Sequence, residues 1–238
     1  MSYYNGPKIV TSGLQVYLDA ANPKSYPGSG TTWIDITGNG NNATLNSGLQ
    51  TGFSTLYGGT FNFDNLDDYV SISNFNFETL GQSRSLTVMF GAYKKFYGTS
   101  GNNTGDSRVL QGSDNGYNQG YRIVEVNTGT PGAAFTGAQG FAYGYLNSGA
   151  TIYDTVNRPA ICAFSQNGNS LDCFINNSFG TGNMIAYTNG TNSGTMGGGG
   201  YGVGYFGGYI SFIQVYNRPL SRSEILENYN ATKTRFGL

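Results

Sequence analysis

The stretch Ile161–Ile175, ICAFSQNGNSLDCFI, decides the fold. Two largely apolar runs flank Asn167-Gly168. Asn-Gly is the strongest short signal for a two-residue hairpin loop, because both residues tolerate the positive φ of a type I′ turn. With those two in the loop, Phe164 faces Leu171, Cys162 faces Cys173 and Ala160 faces Ile175. All six are apolar and share one face, so a buried face accounts for the register. Asp172, Phe174 and Asn176 take the opposite face. Cys162 and Cys173 are the only cysteines of the chain. In this register their Cα atoms are about 5.5 Å apart, within disulfide range. Both Cβ atoms project straight up from the sheet, however, which strains the required dihedral. Free thiols acting as small buried hydrophobes are therefore expected.

Working outward, alternation of inward and outward residues appears in two further segments. SGLQVYLDA places Leu14, Val16 and Leu18 on one face, and RSLTVMFGAYKKF places Leu86, Val88, Phe90 and Ala92 on one face. Such period-2 patterns predict half-buried strands. GTFNFDNLDDYVSIS reads as two short strands around an acidic turn, and DSRVLQGS, GYRIVEVN and GFAYGYL as further strands. NTGTPGAAFTG and TNSGTMGGGGYGVG are polar or Gly-rich and predict surface loops. YISFIQVY is apolar on both faces, so periodicity does not choose its inward side. One helix is predicted after Pro219, over 222–233. Ser221 precedes Glu224 by three residues, a capping box, and Ile225, Leu226 and Tyr229 form a short apolar stripe. No repeat and no linker-like break appears, which predicts an N-terminal arm over 1–12 and a single domain over 13–238.

Composition agrees. Charged residues are 11% of the 238, against about a quarter in ordinary domains, while 38 are glycine and 15% are aromatic. Many strands joined by many turns suit this mixture. The net charge is −1 and no basic cluster exists beyond Lys94-Lys95, so no nucleic-acid partner is expected. No apolar run is long enough to span a membrane. MSYYNGPKIV lacks the regions of a signal peptide, and a reducing site of synthesis agrees with free thiols.

Five blocks then occur in a particular order: GLQVYLDAANPKSYPGSGTTWIDITGNGNNATL, FNFDNLDDYVSIS, LTVMFGAYKK, RPAICAFSQNGNSLDCFINN and GGYISFIQVYNRPLSRSEILENYNATKTRFG. Together they resemble the laminin-G-like, concanavalin A-like jelly-roll domains, and most of all the version found in structural proteins of tailed bacteriophages. The match leaves residues 94–157 largely uncovered. The resemblance implies an all-β fold: a two-sheet antiparallel jelly-roll sandwich with one short C-terminal helix. Where relatives carry a Gly-Thr-Asn-type turn before the strand containing Tyr69-Val70, this chain has Asn65-Leu66-Asp67.

The candidate chemistry is sparse. There is no histidine, which removes Ser-His and Cys-His catalysis and most transition-metal sites. The fold also hosts β-glucanases, but no alternating carboxylates of their kind occur, and Glu78, Glu125, Glu224 and Glu227 are scattered. No enzyme and no cofactor are expected. Calcium is the one ion weighed, since relatives in the wider fold bind it at the rim. Asp35, Asn39 and Asn41 offer hard oxygens on a turn, as do Asp64, Asp67 and Asp68, although turn propensity accounts for both groups and is the preferred reading. Tyr93, Tyr143 and Tyr145 are candidates for a sugar-stacking or interface surface, and Tyr3 and Tyr4 for a docking arm. The resemblance implies a virion surface protein made in the host cytoplasm, such as a capsid decoration, head-fibre or tail subunit. Its partners would be capsid or fibre subunits and further copies of itself. A glycan-binding adhesin for host polysaccharide is the alternative.

Overall fold

The computed structural model describes residues 8–72, 74–76, 80, 83–95, 106–111, 122–126, 133–134, 158–183, 194–198 and 205–238. Two antiparallel sheets face each other, the expected sandwich. The first runs β13 (Ser178–Asn183), β12 (Ser170–Ile175), β11 (Pro159–Asn167), β7 (Ser85–Lys94), β15 (Gly207–Tyr216), β5 (Thr60–Asp64) and β4 (Phe53–Ser54), with β1 (Leu14–Asp19) also on β15. The second runs β10 (Ala133–Ala134), β9 (Arg122–Val126), β8 (Asp106–Gln111), β14 (Gly194–Met196), β6 (Val70–Ile72), β3 (Ala43–Leu45) and β2 (Thr32–Trp33). Short β10 and β14 fall inside stretches predicted as loops. Ladder pairing, not local propensity, creates them.

The main core lies between the sheets. Leu86, Val88, Phe90 and Ala92 of β7 enter it as predicted, beside Phe61, Phe63, Val70, Ile72 and the sole tryptophan, Trp33. Tyr26, from a stretch read as a turn, is buried there too, its ring 4.8 Å from that of Phe61. A second core lies on the outer face of the first sheet. There Met89, Ile161, Ala163, Phe174 and Phe212 are covered by Ile225 and Tyr229 of helix α1 (Arg222–Thr232) and by Phe236 of the 3-10 turn Lys233–Phe236. Burying one such side chain contributes about 1.5–3 kcal/mol.

The hairpin differs in register from the expectation. Its loop is Gly168-Asn169, with Cys162 opposite Ile175 and Phe164 opposite Cys173. Gly168 has φ +60 and Asn169 is not among the positive-φ residues, the pattern of a type II′ turn, which asks for glycine at the first loop position only. Arg84 fixes that choice: its carbonyl accepts from Gly168 N at 2.8 Å and its guanidinium reaches Asn169 Oδ1 at 2.7 Å. The register moves by two, so every side chain keeps its expected face. The cysteines are buried and not disulfide-bonded, as expected, though not opposite each other.

Both faces of the hairpin are buried, because α1 covers the second. Phe174 lies 5.2 Å from Tyr229. A β-bulge at Ser211 explains the unreadable strand: Ile210, Ile213 and Val215 enter the main core, while Phe212 and Tyr216 enter the second. An irregularity beside Gln15 likewise turns Leu14 away from Val16 and Leu18, onto the second core.

The capping box of α1 forms as predicted, with Ser221 and Glu224 exchanging both bonds. Arg235 lies just past the helix. It pairs with buried Asp19 at 2.8 and 3.0 Å. Val10, inside the stretch expected as an arm, is also docked. Its N–H donates to Asn228 Oδ1 at 2.7 Å and its carbonyl accepts from the Tyr216 hydroxyl at 2.9 Å.

Candidate aromatic platform

Along the outer face of β7, Met89 is buried under the second core, Gly91 sits beneath Phe236, and Tyr93 comes next. The register sets Tyr93 opposite Pro159 on one side and Tyr209 on the other, and Tyr209 opposite Asn62. Directly opposed residues share a face, so Pro159, Tyr93, Tyr209 and Asn62 form one row over four strands, about 14 Å long. All four are half-buried. Tyr57 joins the row from the 3-10 turn Leu56–Gly58. Its ring centroid lies 6.2 Å from that of Tyr93, and Tyr93 lies 6.0 Å from Tyr209, at interplanar angles of 37° and 59°.

The polar groups of the row are specific. Lys95 Nζ stands 4.1 Å from the Tyr209 centroid and donates to Asn62 Oδ1 at 3.0 Å. An ammonium over the face of a tyrosine is attracted by the ring quadrupole. The Tyr57 phenol is pushed above its ordinary value by burial, and then by the neighbouring Tyr93 and Tyr209. Adjacent tyrosines thus present apolar ring faces with hydroxyl, amide and ammonium groups at their edges. Rings of this kind bury large area while keeping a polar tip for hydrogen bonding.

Tyr93 is the one sequence candidate that the structure places in this row. Tyr143, Tyr145, Tyr3 and Tyr4 lie outside the described residues. Tyr57, Tyr209, Asn62 and Lys95 were missed. Alternation in FNFD does put Asn62 on the outer face of its strand. The pairing of Tyr209 with Tyr93 depends on the β7–β15 register, and nothing local marks Tyr57.

The turns weighed for calcium are built from internal bonds. Asp35 Oδ1 accepts from Tyr17 N and Thr37 N, each at 3.0 Å, and Oδ2 accepts from Asn41 N at 3.1 Å; the Thr37 hydroxyl reaches both oxygens. Asn39 Nδ2 and Asn41 Nδ2 both donate to the Gln15 carbonyl. The three side chains do gather, yet around the backbone of β1. In the other turn, one carboxylate oxygen each from Asp64, Asp67 and Asp68 lie within 4.8 Å of one another. Asp64 Oδ1 accepts from Leu66 N, and Asp68 Oδ2 accepts from Asp64 N. Burial, with repulsion from Asp64 and Asp67, pushes the Asp68 carboxyl up to about 6.

A groove of about 550 Å³ opens where α1 begins, walled by Ser165, Asp172, Thr181 and Leu220. Asp172 is its one carboxylate, bound to the Arg222 guanidinium at 2.8 Å. Retaining glycoside cleavage needs two carboxyls about 5–5.5 Å apart across the bond, and this groove offers no such pair. Among the described residues, no helix is long and apolar enough to cross a membrane.

No family model and no curated protein matches this chain. Solved structures do. Domain 4 of AbnA, a GH43 extracellular arabinanase from Geobacillus stearothermophilus, in complex with arabinotriose, is 13% identical with a TM-score of 0.64, over 90% of this chain and 97% of that one. Trypanosoma rangeli sialidase, in complex with the inhibitor DANA, is 12% identical with a TM-score of 0.63; all of this chain matches 36% of the sialidase. The binding domain of botulinum neurotoxin serotype D is 12% identical with a TM-score of 0.63, over 92% of this chain and 52% of that one. The likeness is one of fold, a β-sandwich that recurs as one part of larger proteins.

Proposed function

We propose that the chain is a non-enzymatic recognition module on a virion surface, and that its tyrosine platform holds a host surface polysaccharide. The carrying observation is the row Pro159–Tyr93–Tyr209–Asn62 with Tyr57 beside it: half-buried rings with polar edges on the face that α1 leaves open. A sugar ring has apolar C–H faces and hydroxyl edges, and such rings match both. That a domain of similar fold was solved with arabinotriose supports a sugar as the ligand. The virion setting rests on the resemblance to phage structural domains. The non-enzymatic reading is supported by the absence of histidine and by the engagement of Asp64 and Asp68 with their own turn.

Glycan-array binding by the full chain tests this, with Tyr93→Ala expected to lower affinity at least tenfold. Stacking on one aromatic ring is worth about 1–3 kcal/mol in the related case of nucleobases. Array binding that survives Tyr93→Ala and Tyr209→Ala would remove the platform. Reproducible polysaccharide cleavage lost in Asp68→Asn would make the protein an enzyme. The low charge favours a second reading, in which the same tyrosines dock on capsid or fibre subunits or on further copies. Stoichiometric co-purification with intact particles, abolished by Tyr93→Ala and without sugar binding, would select it.

A further inference from the structure

We propose that Phe236 is the positioning residue of the platform, holding Tyr57 where its ring can extend the row. This rests on the recognition reading above. Tyr57 has a left-handed backbone, φ 54 and ψ 29, unusual for a residue with a side chain. The turn cannot slide, because a Cβ at Gly59 would lie 2.2 Å from the Ala20 carbonyl oxygen. The backbone therefore fixes where Tyr57 begins, and its neighbours fix where the ring ends. One face is backed by Phe236, at 5.0 Å and an interplanar angle of 32°, and beyond it stands Tyr93.

Phe236 is itself held from two directions. It is 4% exposed, and its Cζ would stand 2.5 Å from a Cβ at Gly91, so it occupies the space that the missing side chain leaves. The Arg235 guanidinium lies 5.2 Å from its ring and 4.9 Å from that of Phe212, and is tied to Asp19. A continuous line runs from Asp19 through Arg235, Phe236 and Tyr57 to Tyr93. Truncating Phe236 removes the ring that backs Tyr57 and should free Tyr57 from the row.

The test uses the full chain with 13C-labelled tyrosine, the Tyr57 ring signal being assigned by Tyr57→Phe. Tyr93 and Tyr209 face this phenol, with Lys95 over Tyr209. In Phe236→Ala, the Tyr57 ring shifts should move toward those of a free tyrosine and its phenol should titrate at lower pH. Phe236→Leu should restore most of both. Affinity for an oligosaccharide array that includes arabinotriose should fall at least tenfold in the alanine variant and recover with leucine. Unchanged Tyr57 signals would overturn the proposal. So would an affinity loss no larger than that of Ile72→Val, a control in the main core on the opposite sheet. If Tyr57 moves but the wild type binds no glycan, positioning stands and the sugar reading falls.

Discussion

Gly91 shows how much one hydrogen atom decides. A Cβ there would meet Phe212 Cε1 at 2.4 Å and Phe236 Cζ at 2.5 Å. Gly91→Ala should therefore destabilise by about 1–3 kcal/mol in urea unfolding, the usual cost of overpacking, although alanine suits a strand better than glycine. Asp35 is the polar counterpart. Removing its carboxylate strands the amides of Tyr17, Thr37 and Asn41, so Asp35→Ala should cost about 2–4 kcal/mol. Burial pushes the Cys173 thiol up to about 12. The native protein should leave this cysteine unlabelled by a thiol reagent at pH 8, with labelling appearing only in denaturant; fast native labelling would place it on the surface instead. The buried, unbridged state of both cysteines was legible from the apolar face that they share. Their partners were not, since a contact from Arg84, distant in sequence, selects Gly168-Asn169 as the loop.

The C-terminal helix and the acidic turn pull stability in opposite directions with pH. Hydrogen bonds from Arg218 hold the Glu224 carboxyl down, from the ordinary 4.5 to about 2. A lowered folded value stabilises above pH ~4.5, and that contribution is lost as pH falls toward ~2. Asp68 is raised, from 3.8 to about 6. Its contribution is full below pH ~4 and is lost as pH rises through ~6. Between pH ~4.5 and ~6.5 the two separate, because Glu224 is already ionised throughout. Over that interval the wild type should lose stability as pH rises while Asp68→Asn loses less, read from urea midpoints at fixed salt. A parallel decline in both would clear Asp68. The capping box made α1 legible element by element, and β7 showed its inward face because its alternation is unbroken. Strand β15 did not, because the bulge at Ser211 breaks its period and both faces are buried from Ile210 to Tyr216.

At the scale of the molecule, two buried faces of one sheet account for the composition. The first sheet is covered inside by its partner sheet and outside by α1, so its middle strands have little surface on which to place charge. Among the described residues, the end of that sheet carries the half-buried Pro159, Tyr93, Tyr209 and Asn62. A sequence pattern reveals that rings alternate on a strand. It does not reveal which strand lies beside it, and the row exists only once β11, β7, β15 and β5 are in register. The chain carries 12 basic and 13 acidic side chains in all, and Lys95 is already engaged by Tyr209 and Asn62. Under the proposed recognition reading, association through the platform would draw on ring contact and hydrogen bonds rather than on long-range attraction. Raising salt from about 0.05 M to about 0.5 M shortens the screening length severalfold, yet it should change the platform's affinity for a neutral oligosaccharide by less than about twofold. Isothermal titration at the two salt concentrations measures this. A steep loss at high salt would mean that charge, and not the tyrosine row, does the holding.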